Sequence, residues 1–466
     1  MINIFFFTAG GAIGTDDDIK VELGDEVLNR FRFTEKEFNI KDTLEVTLAC
    51  LKTAPLKISL PILSLNFLAP LTSIFEEVGI PIGFLTWVLG QPQCKKTSLV
   101  SAINSHFGNF ARNQAPLSFL DGVPSMIYKS AELRDVPALC DDFYPSTNKQ
   151  EATQMKKSAN ALISLSFDRI TGSRSKSNGE IRKNYRQSSM IITTGELFPD
   201  LGQSRTSRVL FINIEKNDVK NKELTYIQHH QEELQYTMKK NIQAIISNIE
   251  DVKDEIKTIF YEKTEEANKQ ITMRTAEMIS SLYVGYKMLI DFALKNGVVN
   301  QNEAQKLLEE GWQVLIEVGK EQNETVENVS PINMVISAIE VLASTKKILV
   351  VDRESAPYIK LKEIYKPEFI GFYDRERESA FVYPDLLYKK IRDFYRQQGV
   401  DFPFNKSTIC KELMTNGFLY KTEKQDRPQV RMKNPITQKE ETTVGLLTNK
   451  IYIPCIYNES GTIKER

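Results

Sequence analysis

The chain has 466 residues, of which 41% are hydrophobic and 26% charged. This ordinary globular composition excludes a disordered or fibrous chain, and the length predicts about three domains. Lys+Arg number 60 against 61 Asp+Glu, for a net charge of -1, which excludes nucleic-acid binding by bulk basicity and confines any such contact to a local basic surface.

The amino-terminal run Met1 to Phe7 is apolar but lacks a basic start and is too short for a signal-peptide core. Alternating segments such as Ile19-Lys20-Val21-Glu22-Leu23 predict strands with one wet face up to about residue 40. Residues 41–80 read as helices. The most apolar stretch, Ile58 to Phe75, is interrupted by Pro61 and Pro70. It falls short of the roughly 20 apolar residues that a spanning helix needs and is expected to be a buried helix. The five cysteines, Cys50, Cys94, Cys140, Cys410 and Cys455, form no CxxC pair, and the three histidines are His106, His229 and His230. A zinc site of the usual spacing and a histidine-based triad therefore have little support. The odd, unpatterned cysteine count suits a reducing compartment, and the expected location is the cytoplasm, with no membrane contact.

From Ile82 to about Ile214 short apolar runs alternate with polar helical stretches, the pattern of a buried parallel sheet in an α/β domain. Gly90-Gln91-Pro92-Gln93-Cys94-Lys95-Lys96-Thr97 follows one such run and leads, at Ser98, into a helical stretch. This is the spacing of a phosphate-binding loop, with Lys95 where the second glycine belongs. A turn at a helix start aims backbone N–H groups at phosphate oxygens. Residues Gly90 to Ser98 are thus the candidate ATP site, with Lys96 on the β/γ-phosphates and the Thr97 hydroxyl on Mg²⁺. An ordinary strand–turn–helix connection has the same outline.

The run Val136 to Cys140 ends in Asp141-Asp142. Two carboxylates on a buried strand tip downstream of a phosphate loop suit Walker B chemistry: Asp141 for the metal, Asp142 for the attacking water. Ser189 to Ile192 leads to Thr193-Thr194-Gly195-Glu196, where Thr194 is placed to sense the γ-phosphate. Ser204-Arg205-Thr206-Ser207-Arg208 directly precedes another strand. In ring ATPases an arginine at that place reaches into a neighbour's site, which makes Arg208 the first candidate and Arg205 the second. Between the acidic pair and Thr194 lies a basic insert carrying Arg169, Arg174, Lys176, Arg182, Lys183 and Arg186. A hairpin there would grip DNA backbone phosphates without reading bases; a solvated loop is the alternative.

Residues 219–345 are Lys/Glu/Gln/Asn-rich and helical. Ile242, Ile245, Ile249, Val252, Ile256 and Ile259 form one apolar stripe, read as a helix packed in an all-α subdomain, with a coiled-coil arm as the alternative. In residues 346–466, Lys347 to Val351 predicts a strand, Pro384 to Gln398 a helix, and Ser407 to Asn416 a second helix with Ser407 as its cap. Phe418 to Tyr420 and Ile451 to Ile453 predict two strands around a basic excursion. Helix, turn, helix and hairpin make a winged-helix pattern, in which Lys406, Lys411, Arg427 and Arg431 are candidate DNA contacts. Protein docking is the other use of such a module.

Thr8 to Gly14, Phe67-Leu68-Ala69-Pro70-Leu71, Gly90 to Thr97, Asp141-Asp142-Phe143-Tyr144-Pro145, Thr194-Gly195-Glu196, Ser204 to Arg208 and the stretch from Asp401-Phe402-Pro403 onward together resemble the helicase-like ATPases of bacterial mobile elements. Replicative helicases of staphylococcal cassette chromosomes are of this kind. The resemblance implies an α/β fold. Residues 1–80 would form an amino-terminal strand and helix region, 81–218 an AAA+ P-loop core, 219–345 a helical lid, and 346–466 a winged helix. It also implies an MCM-like ring, commonly a hexamer, unwinding single-stranded or forked DNA with ATP and Mg²⁺, beside a primase or polymerase of the same element. A basic residue at the place of Lys95 is usual in that family. Longer relatives carry a primase-like region ahead of the Gly-Gly segment near which this chain starts. That departure leaves either a stand-alone motor or a shortened, catalytically weak DNA-binding relic, and a nucleotide-switched remodelling ATPase of phage defence is a further alternative.

Overall fold

The computed structural model describes residues 6–14, 19, 21, 26–110, 115–170, 185–398, 402–421, 427–457 and 463–464. The chain divides into two compact units, Met1–Thr325 and Val326–Arg466.

The first unit opens with a hairpin of β1 (Phe6–Thr8) and β2 (Gly11–Ile13). The alternation at Ile19–Leu23 does not yield a strand among its described residues, since Ile19 and Val21 lie outside any ladder. Helices α1 (Ile40–Ala49), α2 (Leu56–Leu68) and α3 (Thr72–Glu77) follow. Asn39 caps α1 by accepting from the Lys41 N–H. α2 is buried almost all round, and it keeps Pro61 inside the helix at the loss of one backbone hydrogen bond. Among the described residues Leu56–Glu77 is a stretch long and apolar enough to cross a membrane, but 94% of its most apolar window is buried within the fold.

The α/β layer runs β3 (Leu85–Leu89), α4 (Lys96–Asn104), β4 (Leu117–Ser118), α5 (Val123–Glu132), β5 (Arg134–Phe143), α6 (Lys149–Asp168), β6 (Ser188–Gly195), α7 (Gln203–Thr206) and β7 (Val209–Asn213). Its sheet has five parallel strands in the order β4-β5-β6-β3-β7. The continuous apolar run of β3 and the fully buried β6 are what a sheet covered on both faces requires. Because β6 inserts beside β3, the crevice at the carboxyl ends of the strands opens between β3 and β5, where ligands of such sheets bind.

Helices α8 (Asn221–His229), α9 (Gln231–Ser247), α10 (Ile249–Ala267), α11 (Met273–Lys295) and α12 (Gln301–Asn328) follow, the unit ending at Thr325 within α12. The stripe from Ile242 to Ile259 belongs to two helices rather than one. Asn248 leaves helical geometry at φ -130° and ψ 35° and breaks it. Its buried members, including Ile242, Val252 and Ile256, join the core instead of an arm. α11 crosses α2 closely because Gly285 has no side chain: a Cβ there would stand 2.4 Å from the Ser64 carbonyl oxygen.

The second unit contains α13 (Pro331–Ser344), β8 (Leu349–Asp352), α14 (Leu361–Ile364), β9 (Phe369–Asp374), β10 (Ser379–Val382), α15 (Pro384–Gln397), α16 (Lys406–Thr415), β11 (Val430–Lys433), β12 (Glu440–Leu447), β13 (Cys455–Ile456) and β14 (Ile463–Lys464). One mixed sheet, ordered β11-β12-β10-β9-β8-β13-β14, joins all seven strands. α13, α15 and α16 contribute to its larger core. The helix expected from Ser407 starts at Lys406, with Asn405 as cap. The hairpin after it is β11–β12, closed by the Asn434 side chain accepting from the N–H groups of Ile436 and Thr437. Leu419 makes only an isolated bridge to Leu446, and Ile451 closes a turn onto the Leu447 carbonyl. All five cysteines of the chain are buried and free, and burial pushes the thiols of Cys50 and Cys455 up to about 12.

At the amino end of β5, Asp135 sits in the left-handed region (φ 55°) and takes hydrogen bonds from the Ser73 N–H at 2.8 Å and the Ser73 hydroxyl at 2.7 Å. Burial outweighs these bonds and raises its carboxyl to about 6. An unfolded carboxyl titrates lower, so the native state binds the extra proton and loses stability as pH rises from about 4 to about 6. Asp135→Asn tolerates the backbone conformation and cannot ionise. Its stability relative to the parent, read from urea midpoints, is expected to improve over that pH range by at most about 3 kcal/mol.

Candidate nucleotide site

The loop after β3 turns through two left-handed residues, Gln93 (φ 68°) and Lys95 (φ 64°). Lys95 takes as a lysine the conformation that glycine adopts without strain, and it lies directly before α4. Gly90 is required by space: a Cβ there would stand 2.4 Å from the Ile214 carbonyl oxygen and 2.6 Å from Cys94 Sγ. Cys94 is buried, while Gln91, Pro92 and Gln93 face outward. Lys96 is buried and folds its ammonium back over the loop, donating to the carbonyl oxygens of Gly90 at 2.8 Å and Gln91 at 3.1 Å. A cation held by neutral acceptors at a helix start is prepared for an anion.

The carboxylates approach from β5. In the β5–β6 register Cys140 pairs with Thr193 and Phe143 with Gly195, so Asp141 and Asp142 together oppose the single residue Thr194. This irregularity re-aims the acidic pair at the strand tip, a common use of bulges beside functional sites. Asp141 Oδ1 accepts from the Thr97 hydroxyl at 2.7 Å and from the Thr194 hydroxyl. Loop, α4, β5 and β6 thus meet at one oxygen. Asp142 differs. Its Oδ1 is buried without a partner. Burial and the charge of Asp141 raise its carboxyl above the usual range, with Glu196 adding to the rise and Lys96 opposing it. Glu196 is a group that the reading of the sequence missed, although it stands two residues beyond Thr194 on the same strand tip.

The donor set fits a magnesium–triphosphate. Among the described residues no group of three or more His, Cys, Asp or Glu could hold a metal alone. Mg²⁺ commonly takes one or two carboxylates and completes its shell with phosphate and water oxygens, which is what Asp141 and Thr97 offer. A cavity of about 490 Å³ adjoins the loop, lined in part by Lys95, Ser98, Ser101 and Phe110 with Leu224 and Gln228 of α8.

No protein-family model matches the sequence, and no curated protein matches it. Among solved structures, the "SCCmec type IV Cch - active helicase" is similar at a TM-score of 0.61 and 12% identity, over 90% of this chain and 71% of that one. The fold is similar to that of a helicase. A JCV helicase bound to a thiazolopyridine acetamide ligand matches at 12% identity over 54% of this chain and 74% of that one, and its TM-score of 0.24 adds nothing to the assignment.

The remaining sequence candidates divide. Arg208 precedes β7, and its carbonyl accepts from Leu85 at the amino end of β3, away from the Gly90–Thr97 loop of the same chain. Arg205 lies on α7 beside it. Arg169 is not a surface contact, contrary to expectation. It is buried, and its guanidinium donates to the carbonyls of Ile82 and, at 2.9 Å, Ser189. Burial lowers it to about 10. Arg186 pairs with Glu76. Arg174, Lys176, Arg182 and Lys183 lie outside the described residues. In the second unit Lys406 pairs with Asp385 at 2.6 Å, and Arg431 stands 3.9 Å from Glu440. Lys411 and Arg427 are exposed.

Arg169→Leu leaves two buried carbonyls short of donors. It is expected to lower stability by about 2–4 kcal/mol in urea titrations, while any DNA affinity of the folded protein stays unchanged. A loss of affinity without loss of stability would restore the surface role.

Proposed function

We propose that the chain is an ATP-dependent DNA helicase or translocase with an AAA+-type P-loop core, working as a homo-oligomeric ring, commonly hexameric in the resembling family, in the replication of a mobile element in the cytoplasm. The observation that carries this reading is the junction at Asp141, where the hydroxyls of Thr97 and Thr194 meet one carboxylate oxygen beside Lys96. The helicase of similar fold extends the reading from a nucleotide site to DNA unwinding.

In this reading Lys96 leaves the loop carbonyls for the β/γ-phosphates, and N–H groups of the loop and of α4 receive the remaining oxygens. Thr97 and Asp141 are the residues that would hold Mg²⁺, which when bound neutralises phosphate charge. Asp142, with one free buried oxygen and a raised proton affinity, orients the attacking water and accepts its proton. Thr194 reports on the γ-phosphate through the oxygen it shares with Thr97. Arg208, at the other end of the sheet, serves a nucleotide held by the next copy. The basic insert beyond the buried Arg169 and the winged-helix run α15, α16 and β11–β12, with Lys411 and Arg431 outward and Arg427 just before β11, are the DNA contacts. A primase or polymerase of the same element is the partner that the family resemblance implies.

One observation favours a second reading, a DNA-binding relic of an ATPase: Lys95 occupies a left-handed position where glycine carries no strain. Steady-state ATPase assays with and without single-stranded DNA separate the two. The motor reading expects DNA-stimulated turnover that falls at least 100-fold in Lys96→Ala, and DNA affinity that drops steeply as salt rises. DNA binding without turnover in the parent protein would leave the relic.

A further inference from the structure

The corner beneath β7 gathers more positive charge than the ATPase reading alone requires. Arg208 lays its guanidinium carbon 4.1 Å from the centroid of the Phe167 ring, and Arg274, at the start of α11, lies 5.2 Å from the same centroid. Both distances are within cation–π range. Arg274 also donates to the Ser207 hydroxyl. Compensation is thin. Asp168 Oδ1 stands 3.9 Å from Arg208 on a half-exposed side chain, and Glu277 feels the charge of Arg274 one helical turn along α11. Arg208 Nε is buried without a hydrogen-bond partner. Burial and the charges of Arg205 and Arg274 depress the Arg208 guanidinium. Like charges held together at a partly buried corner repel unless an anion joins them. The ring that holds them is itself fixed: a Cβ on Gly83 would touch Phe167 Cδ2 at 3.3 Å, so the aromatic edge lies against the backbone there.

We propose that Phe167 is a positioning residue, whose ring holds Arg208 and Arg274 as one two-cation seat for the terminal phosphate of a nucleotide bound by a second copy of the chain. The inference rests on the ATPase reading above. Its geometric ground is that the seat lies at the amino ends of β3 and β7, away from the phosphate loop of its own chain. An aromatic face suits the task. It orients two planar cations without taking up their hydrogen-bond donors, so the N–H groups not turned to Ser207 or Asp168 remain for phosphate oxygens.

The test is steady-state ATPase of the full chain with Phe167→Leu, Phe167→Tyr and Arg274→Ala, together with binding of a non-hydrolysable ATP analogue. Phe167→Leu is expected to lower kcat at least tenfold with KM and analogue binding unchanged, and Phe167→Tyr to recover most of the loss. A merely structural ring would change stability and ATP affinity together. Mixing Lys96→Ala with Arg274→Ala, each nearly inactive alone, is expected to restore turnover, since some interfaces then pair an intact loop with an intact arginine seat. Parent-like kcat in Phe167→Leu, or no recovery on mixing, overturns the inference while leaving an active parent enzyme as the ATPase proposed. A parent protein without turnover overturns the ATPase reading itself.

Discussion

Two hydroxyls and one carboxylate oxygen hold the first unit's strand tips in register. Asp141 Oδ1 accepts from Thr97, on the first turn of α4, and from Thr194, on β6. Those residues are 44 and 53 positions away from it in sequence, so the contact exists only if the parallel sheet is correctly ordered. The order β4-β5-β6-β3-β7 does this by inserting the strand of Thr194 between the strand of the loop and the strand of the acidic pair. The two-for-one register at Asp141 and Asp142 then gives the neighbouring carboxylates different surroundings. One is satisfied by hydroxyls. The other is left with a buried free oxygen and a raised proton affinity. In the proposed ATPase this separation would make one carboxylate the metal ligand and the other the proton acceptor.

Much of this was legible in the residues, because the signals were local. An apolar run, a turn rich in polar residues and a following helix define β3, the loop and α4. A strand ending in Asp141-Asp142 and one ending in Thr194 announce themselves in the same way. The apolar run from Ile58 to Phe75 was readable as buried helix despite Pro61, although it divides into α2 and α3 around Pro70. What was not legible depended on contacts distant in sequence. Arg169 looks like the first member of a basic insert, yet its guanidinium satisfies carbonyls on β6 and ahead of β3. The isoleucine stripe on α9 and α10 has unbroken helical spacing, and only the conformation of Asn248 divides it. In the second unit a helix–helix–hairpin pattern was visible, but the seven-stranded sheet that contains it was not. Its strands are short, two of its pairings are parallel crossovers, and Asp352 and Asp374 anchor its turns through Arg375, Arg353 and Arg377.

The positive residues of the chain divide into those that serve the fold and those that remain available. Arg169 and Arg375 are committed to internal acceptors, and Arg186 and Lys406 to single surface partners. Near-neutral overall charge therefore conceals uneven local fields. The cluster around Phe167 is the clearest case, because its partly buried cations are screened less than a fully exposed patch would be.

The burial of every native sulfhydryl has a practical side. With none at the surface, maleimide dyes and bifunctional crosslinkers would find no background target on the intact protein, and Cys94, inside the phosphate loop, would be shielded as well. Fluorophores could be attached at chosen exterior positions without first stripping the original sulfur atoms from the interior.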